Sequence, residues 1–153
     1  MATGYKSKVS SASVSQKSFV ISVSFVAILF LSSVAAQGPA TVWDGVYTAE
    51  QAKRGEALYR THCAACHGDN LQGMEAAPAL LGDTFNATWE GVTLGELFER
   101  TRATMPQNAP GSLSRTQNAD ILAFMLQAGK FPAGEKPFDA TAHASVQYRT
   151  YKP

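Results

Sequence analysis

Three segments of the chain place apolar residues three and four positions apart, the spacing of an amphipathic α-helix. Each segment is preceded by a hydroxyl residue with Glu or Gln three positions later, a sequence typical of helix N-termini. These pairs are Thr48 and Gln51, Thr93 and Glu96, and Ser114 and Gln117. No stretch between the segments alternates apolar and polar residues with a period of two. The pattern therefore predicts a small all-α domain with three main helices and no sheet.

The apolar stripe of the first helix runs directly into residues 63–67. Its members are Ala52, Gly55, Leu58, Tyr59 and Cys63. A glycine inside a helix costs about 1 kcal/mol relative to alanine. Gly55 therefore predicts the close approach of another helix, and simple tolerance of the glycine is the alternative.

The second and third predicted helices have approximate ends and apolar positions that can be read from the sequence. The second is predicted from about Thr93 to Arg102, and the third continues to about Ala128, where Gly129 is expected to stop it. Their apolar positions are Leu94, Leu97 and Phe98 in the second helix, and Ile121, Leu122, Phe124, Met125 and Leu126 in the third.

Residues 1–36 have the organisation of an export signal. Three lysines and no acidic residue occupy the start, an apolar run covers residues 19–34, and small residues follow at Ala35 and Ala36. A cleaved signal peptide is the prediction. An uncleaved membrane anchor through residues 19–36 is the alternative, because the apolar run approaches the length of a membrane span.

The remainder of the chain is nearly neutral. Residues 37–153 hold ten basic and twelve acidic residues, a formal net charge of −2. A charge so small excludes nucleic-acid binding and strong electrostatic steering as predictions. Residues 37–138 are predicted to form the folded domain. Residues 139–153 lack apolar periodicity and are predicted to be a loosely ordered tail, folded back on the surface or used in docking.

Residues 63–67 read Cys-Ala-Ala-Cys-His. Two thiols separated by two residues can each add to a vinyl group of one haem, and the following histidine is placed to bind its iron. The alternatives are a redox dithiol, half of a zinc site or a structural disulfide. Zinc would need more Cys or His nearby, and a thioredoxin-type dithiol would need a strand where a helix is predicted. The motif therefore predicts a covalent haem.

The same motif makes His67 the predicted proximal ligand of the iron. An iron that only carries electrons needs a second strong ligand, and Met with His raises the potential. Met74 is too near His67 in sequence for the chain to pass around the ring, and Met125 belongs to the apolar stripe of the third helix. Met105 lies in a predicted loop, and Pro106 after it disfavours helical geometry. Met105 is therefore the predicted second ligand.

Over about residues 44–134 the chain resembles the class I, mitochondrial-type cytochromes c of bacteria. The residues that carry the resemblance are Gly55 and Tyr59, Cys-Ala-Ala-Cys-His-Gly at 63–68, Pro78-Ala-Leu80-Leu-Gly82, Thr104-Met105-Pro106 and a final amphipathic helix. A finer similarity, to the cytochrome domains that accompany quinoprotein alcohol and sugar dehydrogenases, rests on Phe85, Trp89, Pro110-Gly111-Ser-Leu113 and Phe131-Pro-Ala-Gly134. The resemblance implies a class I cytochrome c fold around one covalently attached haem c.

The resemblance also implies roles for residues outside the motif. The Pro78 carbonyl would accept the Nδ1 proton of His67 and fix the ring, and Leu80 would pack on the haem. Trp89 would donate its indole N–H to a haem propionate, or alternatively be a half-buried core aromatic. The predicted cofactor-binding residues are thus Cys63, Cys66, Pro78, Leu80 and Trp89, and the metal ligands are His67 and Met105.

With both axial positions filled, substrate has no access to the iron, so an electron carrier is predicted rather than an enzyme. Its expected partners are a redox protein donor in the periplasm, with a quinoprotein dehydrogenase as one candidate, and a respiratory acceptor. A membrane is expected only if the leader is retained. The protein is predicted to be a monomer or a subunit of a dehydrogenase or oxidase complex. The alternatives are a haem enzyme or gas sensor with an open distal position, and a subunit dedicated to one partner.

Overall fold

The computed structural model describes Met1, Gly4, residues 40–75 and residues 77–152. A 3-10 helix, Val42–Asp44, precedes five α-helices. These are α1 (Ala49–His62), α2 (Ala64–His67), α3 (Asp83–Trp89), α4 (Leu94–Thr104) and α5 (Arg115–Ala128). Extended pairing within these residues is limited to three isolated β-bridges. The predicted all-α fold class is confirmed.

The predicted signal peptide at residues 1–36, and the alternative anchor at residues 19–36, lie outside the described residues apart from Met1 and Gly4. Across the part of the chain that is described, no helix combines the length and apolar character needed to span a bilayer.

The three predicted helix starts are confirmed by hydrogen bonds at their N-caps. The hydroxyls of Thr48, Thr93 and Ser114 each accept a bond from the backbone N–H three residues later. The Glu96 and Gln117 side chains also accept bonds from the N-cap backbone of their own helices, at 3.1 and 2.9 Å. Side-chain oxygens thereby satisfy donors that have no partner within the helix.

Other details of the helices were not predicted. The seven-residue α3 begins after Gly82 without a side-chain cap and is too short to give a periodic signal. α4 continues to Thr104, past the end predicted at Arg102. Gly129 follows α5 as predicted but has a φ of −71°, and the left-handed turn falls on Lys130, with a φ of 68°.

Helix α1 packs mainly against α5, and the two backbones come closest at Gly55. A Cβ atom at Gly55 would overlap the backbone carbonyl of Asp120 on α5. The predicted close approach at this glycine is therefore confirmed. Beside the crossing, Nε and Nη2 of Arg54 each donate a 2.9 Å bond to the buried Asp120 carboxylate.

Residues 139–152 differ from the loosely ordered tail that the sequence predicted. Val146 and Tyr148 are only 4% and 2% exposed and belong to the core. The backbone of Gln147 exchanges bonds of 2.9 and 3.0 Å with Ala40 and Val42. On its other side, the backbone of Tyr148 forms hydrogen bonds with Gly91 and Val92, between α3 and α4, and the Val146 carbonyl accepts the N–H of Leu94, the first residue of α4. The segment folds back into the domain, and its two inward side chains are too few to give a periodic signal.

Candidate haem site

Cys63 lies at the junction of α1 and α2, and Cys66 lies within α2. Cys63 ends α1 with a 2.8 Å bond from its N–H to the Tyr59 carbonyl, and its own carbonyl accepts the N–H of His67 at 2.9 Å. Residues three apart on a helical turn lie on the same side, so the geometry places both thiols on one side of the turn. Both are free, with Cys63 half-buried and Cys66 exposed.

The Cys63 thiol has an electrostatic setting that disfavours a redox dithiol. Burial, and secondarily the neighbouring Cys66, raise the pKa of Cys63 from 9.0 to about 11. Reactive cysteines of Cys-x-x-Cys redox motifs have lowered pKa values, because the thiolate is the nucleophile. Within the described residues, no group of three or more His, Cys, Asp or Glu side chains is gathered in a way that could hold a metal. The zinc interpretation therefore has no ligand set there.

The His67 ring is buried and held in one orientation. It is 8% exposed, and its Nδ1 lies 2.8 Å from the Pro78 carbonyl oxygen. A carbonyl oxygen only accepts hydrogen bonds, so Nδ1 carries the proton and donates it. The lone pair of the ring is then on Nε2, the atom left to bind a metal. This is the hydrogen bond that orients metal-binding histidines in proteins.

Backbone hydrogen bonds hold the loop between His67 and Pro78 in shape. The Gly73 N–H donates to the His67 carbonyl at 2.8 Å, and the Leu80 N–H donates to the Leu71 carbonyl at 2.8 Å. The Pro78 carbonyl is thereby presented to the ring from a fixed position.

Tyr59 also restrains the motif, through a contact that no sequence motif indicated. Its hydroxyl donates a 2.6 Å bond to the Gly68 carbonyl, directly after His67. The position of Tyr59 on the apolar stripe could have indicated such a bond, because a buried tyrosine hydroxyl usually finds a hydrogen-bond partner.

The predicted haem contacts Leu80 and Trp89 are both half-buried and pack against the core. Trp89 ends α3, with its ring centroid 6.2 Å from that of Phe85. Its indole N–H donates to no described residue. The half-buried ring of Trp89 agrees with a core aromatic. Its indole N–H, which has no partner among the described residues, is also the donor that a haem propionate would need. Contact of Leu80 or Trp89 with a haem remains a prediction.

The three candidate methionines differ in environment. Met74 is 54% exposed, and Met125 is 6% exposed within the core stripe of α5. Met105 is half-buried, directly after α4, with an extended backbone of φ −120° and ψ 152°. The extended backbone agrees with the expected effect of Pro106. Met105 is thus the candidate on a loop and partly sheltered, and its role as ligand remains a prediction.

The residues present fit a covalently held haem. The chain offers two free thiols on one turn and a buried histidine whose Nδ1 proton is engaged by a carbonyl. Cys63 and Cys66 would hold the porphyrin, and His67 Nε2 would bind its iron.

Comparison with known proteins agrees with this chemistry. Residues 50–125 match the family model described as cytochrome c oxidase, cbb3-type, subunit III. Among solved structures, the chain is similar to the sulfane dehydrogenase SoxCD from Paracoccus pantotrophus, with 19% identity and a TM-score of 0.49. The similarity covers 75% of this chain and 68% of that one, and no property of this chain follows from a likeness so distant. No curated protein matches the chain significantly.

The family match extends from the first turn of α1 into α5 and includes the whole of residues 63–67. It therefore contains the free thiols, the oriented histidine and the helix crossing described above. A cytochrome c domain of this kind functions in haem-based electron transfer. Residues 50–125 of the chain thus form a cytochrome c domain of the class I type.

Proposed function

We propose that this protein is an exported electron carrier with one haem c, ligated by His67 and Met105, and that it is not an enzyme. When bound, the haem supplies a one-electron couple at iron. The observation that carries the proposal is the 2.8 Å bond from His67 Nδ1 to the Pro78 carbonyl. It leaves Nε2 as the atom that would coordinate a metal beside the two thiols. A dithiol or disulfide function would not require a histidine oriented in this way.

Met105 supports the carrier function over catalysis. A methionine opposite the histidine would fill the second axial position and raise the potential. The Met105 side chain is half-buried on a loop with an extended backbone, so it is partly protected from water. An iron closed on both sides exchanges electrons through the edge of the ring and binds no substrate.

The partners and location follow from supporting observations. The export-signal pattern of residues 1–36 supports a periplasmic location. The matched family model is named for an oxidase subunit, which supports a respiratory acceptor, and the sequence resemblance supports a quinoprotein dehydrogenase as donor. A net charge near −2 over residues 37–153 predicts docking that depends little on salt. Transient redox contacts of this type bury less than about 1,200 Å².

A redox titration of the matured holoprotein, followed by visible absorbance, tests the proposal. We expect a single one-electron wave at positive potential, and a reduced form that resists carbon monoxide near neutral pH. Rapid stoichiometric binding of carbon monoxide would favour a haem enzyme or gas sensor with an open distal position. A colourless or zinc-containing protein would refute the haem site.

A further inference from the structure

The loop that carries Met105, residues 105–113, joins α4 to α5 and is bonded mainly to itself. The Ala109 N–H donates to the Pro106 carbonyl at 2.9 Å, and the Ser112 N–H donates to the Ala109 carbonyl at 3.2 Å. Residues 107–112 are all exposed. These two local turns give the loop a shape but do not attach it to the domain.

Hydrogen bonds between this loop and the other described residues occur at its two ends. At the first end, the Met105 N–H donates to the Thr101 carbonyl at 2.9 Å, which continues the ladder of α4. At the second end, Asn118 Nδ2 donates to the Leu113 carbonyl at 3.1 Å. Among the described residues, Asn118 is thus the side chain that bonds this loop to a helix. The buried Leu113 side chain adds an apolar contact at the same end.

The orientation of the Asn118 amide is fixed by its acceptors. The side chain is 1% exposed, and Nδ2 donates a second bond, of 2.9 Å, to the Ser114 carbonyl. Both partners are carbonyl oxygens, so nitrogen rather than oxygen must face them. The Oδ1 atom accepts no bond from the described residues. The hydrogen bonds of this side chain to the described residues are therefore the two that Nδ2 donates.

Asn118 also occupies a position where an apolar residue is expected. It precedes Leu122 and Met125 by four and seven residues, so it continues the core stripe of α5. A polar side chain at a core position is costly unless it is bonded, and the bond that leaves its own helix goes to Leu113. That bond is the distinctive structural role of this side chain.

We infer that Asn118 is a positioning residue for Met105. By holding the Leu113 end of the loop against α5, it sets how readily the loop opens and Met105 leaves the iron. Exposed segments with few bonds open locally without unfolding the domain. The inference rests on the proposed function, because it takes Met105 as the ligand.

Imidazole competition in the ferric holoprotein measures this opening. Imidazole binds iron only when Met105 has left, so its apparent affinity is proportional to the open fraction. Asn118→Leu keeps the approximate size of the side chain and removes the donor. The variant loses both Nδ2 bonds, but the Ser114 carbonyl keeps the Asn118 N–H as a donor. Loss of the Leu113 bond is expected to raise the apparent imidazole affinity about tenfold. The methionine–iron absorption band should disappear at correspondingly lower imidazole.

Gln51→Met is the matched control. Gln51 is also a buried amide, 3% exposed, but its bonds of 3.1 and 2.6 Å go to the backbone of Phe138. It should lower the stability of the whole domain and leave the imidazole affinity unchanged. This contrast separates a positioning role from general destabilisation.

Asn118→Ser gives a second, milder test if the leucine variant does not mature. A serine hydroxyl in a helix bonds the carbonyl four residues earlier, here that of Ser114, so mainly the Leu113 bond is lost. We expect a rise in imidazole affinity in the same direction. Equal affinities in the wild type and in whichever Asn118 variants mature, or an equal rise in Gln51→Met, would overturn the inference. A wild-type protein without the methionine band would instead refute the proposed ligation itself.

Discussion

The hydroxyl of Tyr59 on α1 lies 2.6 Å from the carbonyl oxygen of Gly68, the residue that follows His67. Tyr59 is 0% exposed, and its ring centroid lies 5.3 Å from that of Phe124 on α5. A single side chain therefore connects the crossing of α1 and α5 to the end of the haem motif.

Replacement of Tyr59 by phenylalanine tests the strength of this connection. The variant keeps the ring and removes one of two donors to the buried Gly68 carbonyl, which still accepts the Leu71 N–H at 3.2 Å. The free energy of unfolding should therefore fall by about 0.5–1.5 kcal/mol. Urea unfolding at neutral pH measures the change. An unchanged midpoint would mean that the bond contributes nothing to stability.

The same residue predicts a loss of stability at high pH. Burial is the main cause that raises the pKa of Tyr59 from its ordinary value of 10.0 to about 12. A raised pKa means that the folded protein favours the protonated hydroxyl, so this stabilisation is complete below pH 10 and lost as the pH rises toward 12. Tyr59→Phe should flatten the fall in unfolding free energy over this range. Tyr148, whose pKa burial also raises to about 12, will keep part of the slope, and parallel curves would contradict the prediction.

Met105→Ala should open one axial position of the haem. The expected results are a high-spin ferric iron, a lower potential and rapid binding of carbon monoxide by the reduced protein. Met74→Ala is the control, because Met74 is 54% exposed and should leave spectrum and potential unchanged. If Met105→Ala keeps the wild-type spectrum and potential, Met105 is not the ligand.

Gly55→Ala should destabilise the protein although alanine is the better helix former. The added Cβ meets the Asp120 carbonyl, so α1 and α5 must separate, at a cost of about 1–3 kcal/mol. Lys53→Ala, at an exposed position of the same helix, should change stability by less than about 0.5 kcal/mol. Thermal unfolding of both variants makes the comparison, and a Gly55→Ala protein as stable as the wild type would argue against the tight crossing.

Tyr148→Ala should show that the C-terminal segment is part of the core. Tyr148 is 2% exposed, and its hydroxyl donates a 2.7 Å bond to Asn86 Oδ1. Loss of a buried aromatic side chain typically costs about 3–5 kcal/mol. Tyr151→Ala removes the same side chain three residues later, where it is 86% exposed, and should have little effect. Equal stabilities of the two variants would support the loosely ordered tail that the sequence predicted for this segment.

Features that depend on residues within one helical turn were predicted from the sequence more fully than features that depend on a partner outside any motif. The N-caps at Thr48, Thr93 and Ser114 were predictable because the bonding partners lie within one turn. The short α3 was missed, since seven residues after a glycine give no periodic pattern. Asn118 stands on an apolar stripe, which was a signal that the sequence contained, but its partner Leu113 was not indicated by any motif.

By itself, the sequence determined the helical class and the haem-binding motif, because each depends on residues close together along the chain. Only the tertiary structure decided that the segment around Tyr148 enters the core, that Asn118 donates to the Leu113 carbonyl, and that Tyr59 reaches Gly68. These relationships depend on which buried donor meets which carbonyl once the helices have packed. Burial makes an unmet carbonyl costly, but the pattern of apolar and polar residues does not specify which donor will meet it.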